Sequence, residues 1–231
     1  MNKFTIAMMA ILVFLAAPLA TGAEGREVIH ATAELVQPLL PGMKAADFVV
    51  RDAHAQTFEF KAGVHDKPVI LTFYRGGWCP YCNLHLAEMR LTEKQLRKMG
   101  FDIWFISIDK PELLLESLDD PDIGYTIFSD SSLNATRAYG VAFHVDDETV
   151  ERYLTKHEID LEAASGENHH VLPAPSTFLI GTDGIISFAY TNPDYHARLH
   201  PDVLLAAASA YVDDADKRLR KRREQQRKKS D

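Results

Sequence analysis

The sequence predicts an α/β domain in which a mixed sheet is covered by helices, and three observations carry that reading. Val69 to Tyr74 is an apolar, β-rich run between Pro68 and Gly76-Gly77, the pattern of a strand buried on both faces, and Asp102 to Ile108 is a second. Between them, Pro80 to about Lys98 has helical periodicity and is closed by Gly100. Near the other end, Ser176 to Ile180 and Ile185 to Tyr190 flank Thr182-Asp183-Gly184, a strong hairpin signal.

The remaining elements follow in order. Residues 24–41 form an amphipathic lead-in that ends at the Pro41-Gly42 turn. Asp47 to Val50 and Thr57 to Phe60 read as a short hairpin across the polar stretch Arg51 to Gln56. In the helix from Pro80, Leu84, Ala87 and Leu91 are expected on the buried face. Pro111 to Leu118 is a helix, Tyr125 to Phe128 a short strand, and Ser131 to Tyr139 a helix ending at Gly140. Residues 144–173 stand outside this alternation as an insertion, with a helix from Asp147 to Lys156 and a Gly-Glu-Asn-His-His loop. Leu204, Ala207, Ala208 and Tyr211 give the last helix its buried stripe. The chain therefore divides into residues 1–23, the lead-in 24–41, one domain over 42–212, and a basic tail over 213–231.

At 231 residues, 46% apolar and 25% charged, the chain is neither disordered nor a multi-spanning membrane protein. The net charge of −8 hides an asymmetry: residues 217–231 hold nine Lys/Arg against Glu224 and Asp231, while the rest has 16 Lys/Arg against 31 Asp/Glu. So acidic a body is a poor phosphate-backbone binder, and no nucleic acid partner is expected. The tail reads as a solvated helix end. Lys3, the apolar run Ile6 to Ala17 and the small residues Thr21-Gly22-Ala23 read as a secretory signal cleaved before Glu24. The run falls short of the roughly 18 apolar residues that spanning needs, so no stable membrane insertion is expected after cleavage, and the destination is periplasmic or secreted.

The two cysteines, Cys79 and Cys82, lie in Trp78-Cys79-Pro80-Tyr81-Cys82, where a buried strand gives way to a helix. At that junction backbone N–H groups are unpaired and the helix dipole is positive, which favours a thiolate. Pro80 fits the first helical turn because its missing N–H costs nothing there. One turn separates the cysteines, close enough for a reversible disulfide, and an exported compartment permits one. A metal reading competes. His85 extends the pattern to Cys-x2-Cys-x2-His, and His169 or His170 could complete a set suited to copper or zinc. Without a second close pair, the sequence is read as holding no metal and no cofactor, with His85 a partly exposed helix residue.

Phe73-Tyr74-Arg75-Gly76-Gly77-Trp78-Cys79-Pro80-Tyr81-Cys82 resembles the active-site segment of the alkyl hydroperoxide reductase/thiol-specific antioxidant (AhpC/TSA, peroxiredoxin) family. Gly42 to Phe48 resembles the family's opening G-x-x-A-P-D-F, with Ala46 in place of the proline. Asp130 to Val141, Pro175 to Ile180 and Asp183-Gly184 resemble later elements, so the similarity runs from Gly42 to about Val212. It implies a thioredoxin-like fold. Against the family pattern P-x-x-x-T-x-x-C, the attacking cysteine falls on Cys82, the threonine on Cys79 and the proline on Arg75, and Ala174-Pro175 stands where an arginine is expected. The CxxC and the proline before Ser176 instead resemble the thioredoxin and disulfide-reductase branch, where the attacker would be Cys79. In that branch the proline is cis and faces the dithiol, so Pro175 is expected to be cis and to leave a sheet edge open for a substrate backbone.

The resemblance implies a thiol peroxidase: a thiolate attacks a peroxide to give a sulfenic acid, the second cysteine condenses with it, and a thioredoxin-like donor reduces the disulfide. Its rivals are a protein-disulfide reductase and a copper-binding chaperone. The residues themselves leave open which cysteine attacks. Trp78 is expected as an apolar shield beside the thiol, Tyr81 as its neighbour in the motif, and Arg75 either to stabilise a thiolate or to be exposed. The insertion reads as a surface elaboration or as a wall over the thiols, with His169 and His170 near the cleft.

Overall fold

The computed structural model describes residues 27–114 and 124–230; the segment read as a secretory signal and residues 115–123, including the end of the helix expected to reach Leu118, lie outside them. In chain order the elements are the hairpin β1 (Phe48–Arg51) and β2 (Thr57–Phe60), β3 (Val69–Phe73), α1 (Pro80–Lys98), β4 (Asp102–Ser107), α2 (Pro111–Leu114), β5 (Thr126–Ser129), α3 (Asn134–Ala138), β6 (Ala142–His144), α4 (Asp147–His157), α5 (Leu161–Ser165), β7 (Val171–Pro173), β8 (Ser176–Ile180), β9 (Ile186–Thr191) and α6 (Pro201–Ser230). Seven strands form one sheet in the order β2-β1-β5-β4-β3-β8-β9. β3, β4 and β5 run parallel, while β8 and β9 on one side and β1 and β2 on the other pair antiparallel. The central mixed sheet flanked by helices is the architecture the sequence predicts.

Alternation along the strands divides the core into two layers. Val69, Leu71 and Phe73 face one layer with Phe48, Trp104, Ile106, Tyr139 and Phe178. Ile70, Phe105 and Leu179 face the other, under α1 and α6, with Leu86, Met89, Leu96, Leu204 and Ala208. α1 is turned differently from the expectation. Cys82, His85, Leu86, Met89, Thr92, Glu93 and Leu96 are its buried residues, whereas Leu84 and Leu91 are 60% and 84% exposed and Ala87 is exposed. Two leucines outweighed the stripe that begins at Cys82 and returns every three or four residues; it contains polar residues, so its apolar signal is weak.

Leu133 adopts a left-handed conformation, so the helix expected from Ser131 begins only at Asn134. Its first turn is capped by the buried Asp130, whose carboxylate accepts from the N–H of Ala135 and Thr136 and from the Thr136 hydroxyl at 2.6–3.0 Å. The insertion is built on the β6–β7 ribbon. α4 and α5 start at aspartate caps, Asp146 to Thr149 N–H and Asp160 to Ala163 N–H. The backbone of α6 continues as helix through the basic tail to Ser230. Among the described residues no helix is long and apolar enough to cross a membrane.

Candidate active site

β3 delivers the chain to the site. Past Phe73 the backbone stays tied to β4 through the Tyr74 N–H on the Ile106 carbonyl, then turns over Gly76, where any side chain would collide with the Trp78 indole and the Asp109 carboxyl. Cys79 closes that turn on the Gly76 carbonyl and becomes the N-cap of α1, with Pro80 at the first helical position. Asp109, from the loop after β4, pins the turn by accepting the Gly77 N–H at 2.7 Å and the Ser107 hydroxyl at 3.1 Å. Asn83 adds a bond from its amide to the Gly77 carbonyl.

Both thiols are buried, free and in mutual contact, with Cys79 2% and Cys82 0% exposed. Their environments push them apart. The neighbouring Cys82 thiol and the charges of Arg75 and Arg198 favour the Cys79 thiolate and, against burial, hold Cys79 down at about 6, while the Cys82 N–H donates to the Cys79 carbonyl. Burial raises Cys82 well above the ordinary thiol range, and the Cys79 sulfur adds to this, opposed by Arg198 and the Arg75 N–H. Burial also raises Asp109, to about 6.

The sequence-predicted supporting residues fall into two groups. Arg75 is not exposed: it is 4% accessible, donates to the Tyr153 hydroxyl, and its guanidinium lies over the rings of Trp78 (5.1 Å), Tyr153 (5.4 Å) and Tyr195 (4.2 Å). The insertion is thereby brought to the site as a wall rather than a detached elaboration, with Tyr153 on α4. Trp78 is half-buried and joins two of the apolar clusters. Tyr81 is 42% exposed and packs edge-on to Tyr195 and His196.

Pro175 departs from the expectation. No cis peptide bond occurs among the described residues, and β8 is paired on both sides, so no sheet edge is open at this proline. A trans bond is the lower-energy state of an X–Pro peptide by about 0.5–1 kcal/mol. His85 is buried rather than partly exposed, because it lies on the same helix face as Cys82, and burial lowers it to about 4, leaving it neutral. His169 bonds the Ser131 carbonyl and the Val171 N–H, and His170 bonds Glu162, so neither approaches the thiols as a ligand. Among the described residues no group of three or more His, Cys, Asp or Glu is placed to hold a metal ion.

A cleft of about 750 Å³ runs alongside, between Leu86 and Ala87 of α1 and Ala163 and Ala164 of α5, with Gly77, Trp78 and Asp109 at its floor. His169 and His170 do not line it. The sequence reading missed Arg198 altogether. It follows β9, 116 residues from Cys82, and donates to the Cys82 sulfur at 3.3 Å. No local pattern marks it, since an arginine in a polar loop is unremarkable until the fold brings it home.

A cysteine at the N-cap of the helix that follows a central strand, with a second thiol one turn on, is the arrangement of a thiol oxidoreductase on a thioredoxin-like fold. The AhpC/TSA family model matches residues 41–189, more than half of the chain, and the protein belongs to that family. It is a peroxiredoxin-like enzyme. Its sequence is 26% identical to peroxiredoxin Bcp of Escherichia coli over 106 residues, 46% of this chain and 67% of that protein. The fold is similar to peroxidoxin BcpB of Mycobacterium tuberculosis (TM-score 0.57, 20% identity, 74% of this chain and 97% of that one). It is also similar to Enterococcus faecalis AhpC (0.57, 17%, 77% and 95%) and Xanthomonas campestris peroxiredoxin Q (0.55, 16%, 77% and 98%).

Proposed function

We propose that the protein reduces peroxides with Cys79 as the attacking thiolate and Cys82 as the resolving thiol. The observation that carries this is the place of Cys79 at the N-cap of α1, beside the Cys82 thiol and near the Arg75 and Arg198 guanidiniums, which favours a thiolate on Cys79 at neutral pH. The thiolate attacks the peroxide O–O bond, one oxygen becomes the Cys79 sulfenic acid, and the other leaves as water or alcohol. Cys82 then displaces hydroxide from that sulfur to give the Cys79–Cys82 disulfide. A thioredoxin-like dithiol returns two electrons and completes the cycle.

This reading moves the attacker from Cys82, where the family register puts it, to Cys79. The hydroxyl that the register expects at position 79 is absent, and Cys82 is the more deeply buried and less acidic thiol. The protein-disulfide reductase rival shares Cys79 as attacker, but two buried thiols and a β8 paired on both sides offer a polypeptide substrate little to dock on. The copper-chaperone rival is not favoured, since among the described residues no three His, Cys, Asp or Glu are placed to share a metal ion, and His169 and His170 are bonded elsewhere. An exported location with processing before Glu24 belongs to the same proposal, supported by the residues of the signal segment; N-terminal sequencing of the protein from envelope extracts tests it.

Stopped-flow mixing of the dithiol with hydrogen peroxide and with an organic hydroperoxide, beside a protein-disulfide reduction assay, tests the activity. Fast peroxide-dependent loss of both thiols is expected. Rapid reduction of a protein disulfide with no reaction toward peroxide would reverse the choice.

A further inference from the structure

Cys82 poses a problem for any dithiol cycle at this site, because a resolving sulfur must ionise to attack and this one lies fully buried. Arg198 is placed to answer it. Its Nη2 donates to the Cys82 sulfur at 3.3 Å, and its Nε and Nη1 are buried with no hydrogen-bond partner. No carboxylate lies within 4 Å of the guanidinium among the described residues, although Asp194 is near enough to feel its charge; the half-buried side chain packs beside Thr72, Pro175, Thr177, Leu199 and the neutral His85. Buried donors of a cation left without acceptors are costly. That cost is relieved when the sulfur facing it becomes an anion.

We propose that Arg198 is a catalytic residue for the second half of the cycle, activating Cys82 to resolve the oxidised Cys79. This rests on Cys79 being the attacker. In the dithiol state the negative Cys79 sulfur holds the proton on Cys82, both through their hydrogen bond and through charge repulsion. Peroxide converts Cys79 to a neutral sulfenic acid and removes both influences. Arg198 and the Arg75 N–H are then the groups acting on Cys82, and both favour its thiolate. That thiolate forms the S–S bond, hydroxide leaves Cys79, and the proton lost by Cys82 makes it water. The arrangement orders the steps: the resolving thiol stays quiet until its partner has been oxidised.

The other titratable groups facing Cys82 are Cys79, Tyr74 and His85, with Arg75 contributing its backbone N–H. Tyr74 is raised by burial and His85 is neutral, so above the range in which Asp109 titrates, about 6, the pH profile of resolution reports on Cys82.

The experiment measures the two steps separately in the dithiol protein and in Arg198→Met, Arg198→Gln and Arg198→Lys. With hydrogen peroxide and rapid dimedone trapping, Arg198→Met should prolong the Cys79 sulfenic acid at least tenfold while changing its formation less than about threefold. The pH midpoint of disulfide closure should rise, and Arg198→Lys should restore most of it. A parallel arm loads 5-thio-2-nitrobenzoate onto Cys79 and times its release by Cys82, a step that needs no peroxide. If the parent protein gives no sulfenic acid but release is slowed by Arg198→Met, the peroxidase reading fails and the role of Arg198 stands. Release at the parent rate and with the parent pH midpoint in Arg198→Met overturns the proposal, as does equal slowing of both steps. Should Arg198→Met fail to fold, a parent-like pH midpoint in Arg198→Gln overturns it equally.

Discussion

At the scale of single residues, the two cysteines are chemically unequal because of what surrounds each. Peroxide attack should follow the Cys79 thiolate, rising as pH passes upward through about 6 and flattening well below the pH at which an ordinary thiol ionises. Stopped-flow rates from pH 4.5 to 8.5 check this. The same shift is a stability statement. Cys79 ionises at a lower pH in the folded state than in the unfolded chain, so the dithiol protein should gain stability as pH rises from about 6 toward 9 and lose that gain as pH falls through 6. Cys79→Ser should remove this increment. Asp109 is shifted the other way: burial favours its neutral form, so its contribution falls as pH rises from about 4 to 6 and is lost above that range. Asp109→Asn should flatten that limb, as read from urea midpoints in the presence of dithiothreitol. Neither carboxyl nor arginine was legible in the sequence. Asp109 and Arg198 sit in loops after strands and become site residues only when β4 and the β8–β9 hairpin are laid on either side of β3.

At the scale of elements, the strands and their order follow from composition, since runs such as Val69–Phe73 and Ser176–Ile180 are buried at every position. The rotation of α1 does not, because its inward stripe includes His85, Thr92 and Glu93 while Leu84 and Leu91 face solvent. A hydropathy pattern locates a helix better than it orients one whose buried face carries chemistry. Cys82 itself was the usable signal, for a redox thiol beneath the helix sets the phase of every residue after it. Within the sheet, the buried hydroxyls of Thr72 and Thr177 meet at 3.1 Å across β3 and β8 beneath the same end of α1. Replacing either by valine strands the other, a loss of about 1–3 kcal/mol, whereas replacing both should cost clearly less than the sum. Urea unfolding of the four proteins of that cycle measures it.

At the scale of the molecule, Arg75 joins three separate stretches: the β3–α1 turn, α4 of the insertion through Tyr153, and the β9–α6 loop through Tyr195. The last of these also carries Arg198. Arg75→Met should therefore speed amide exchange in residues 147–157 and 192–200 while leaving β3 and β4 protected, and it should raise the Cys79 titration midpoint, read by iodoacetamide alkylation against pH. Unchanged exchange in both segments would mean that the insertion holds its place without the arginine. The proposed picture is a family fold in which the attacking thiol has moved one turn back to the helix cap. Trapping with dimedone after substoichiometric peroxide, followed by mass mapping in Cys79→Ser and Cys82→Ser, tests that most directly. A label on Cys79 in Cys82→Ser, with none in Cys79→Ser, is the result predicted; a label on Cys82 in Cys79→Ser, with Cys82→Ser inert, would contradict it.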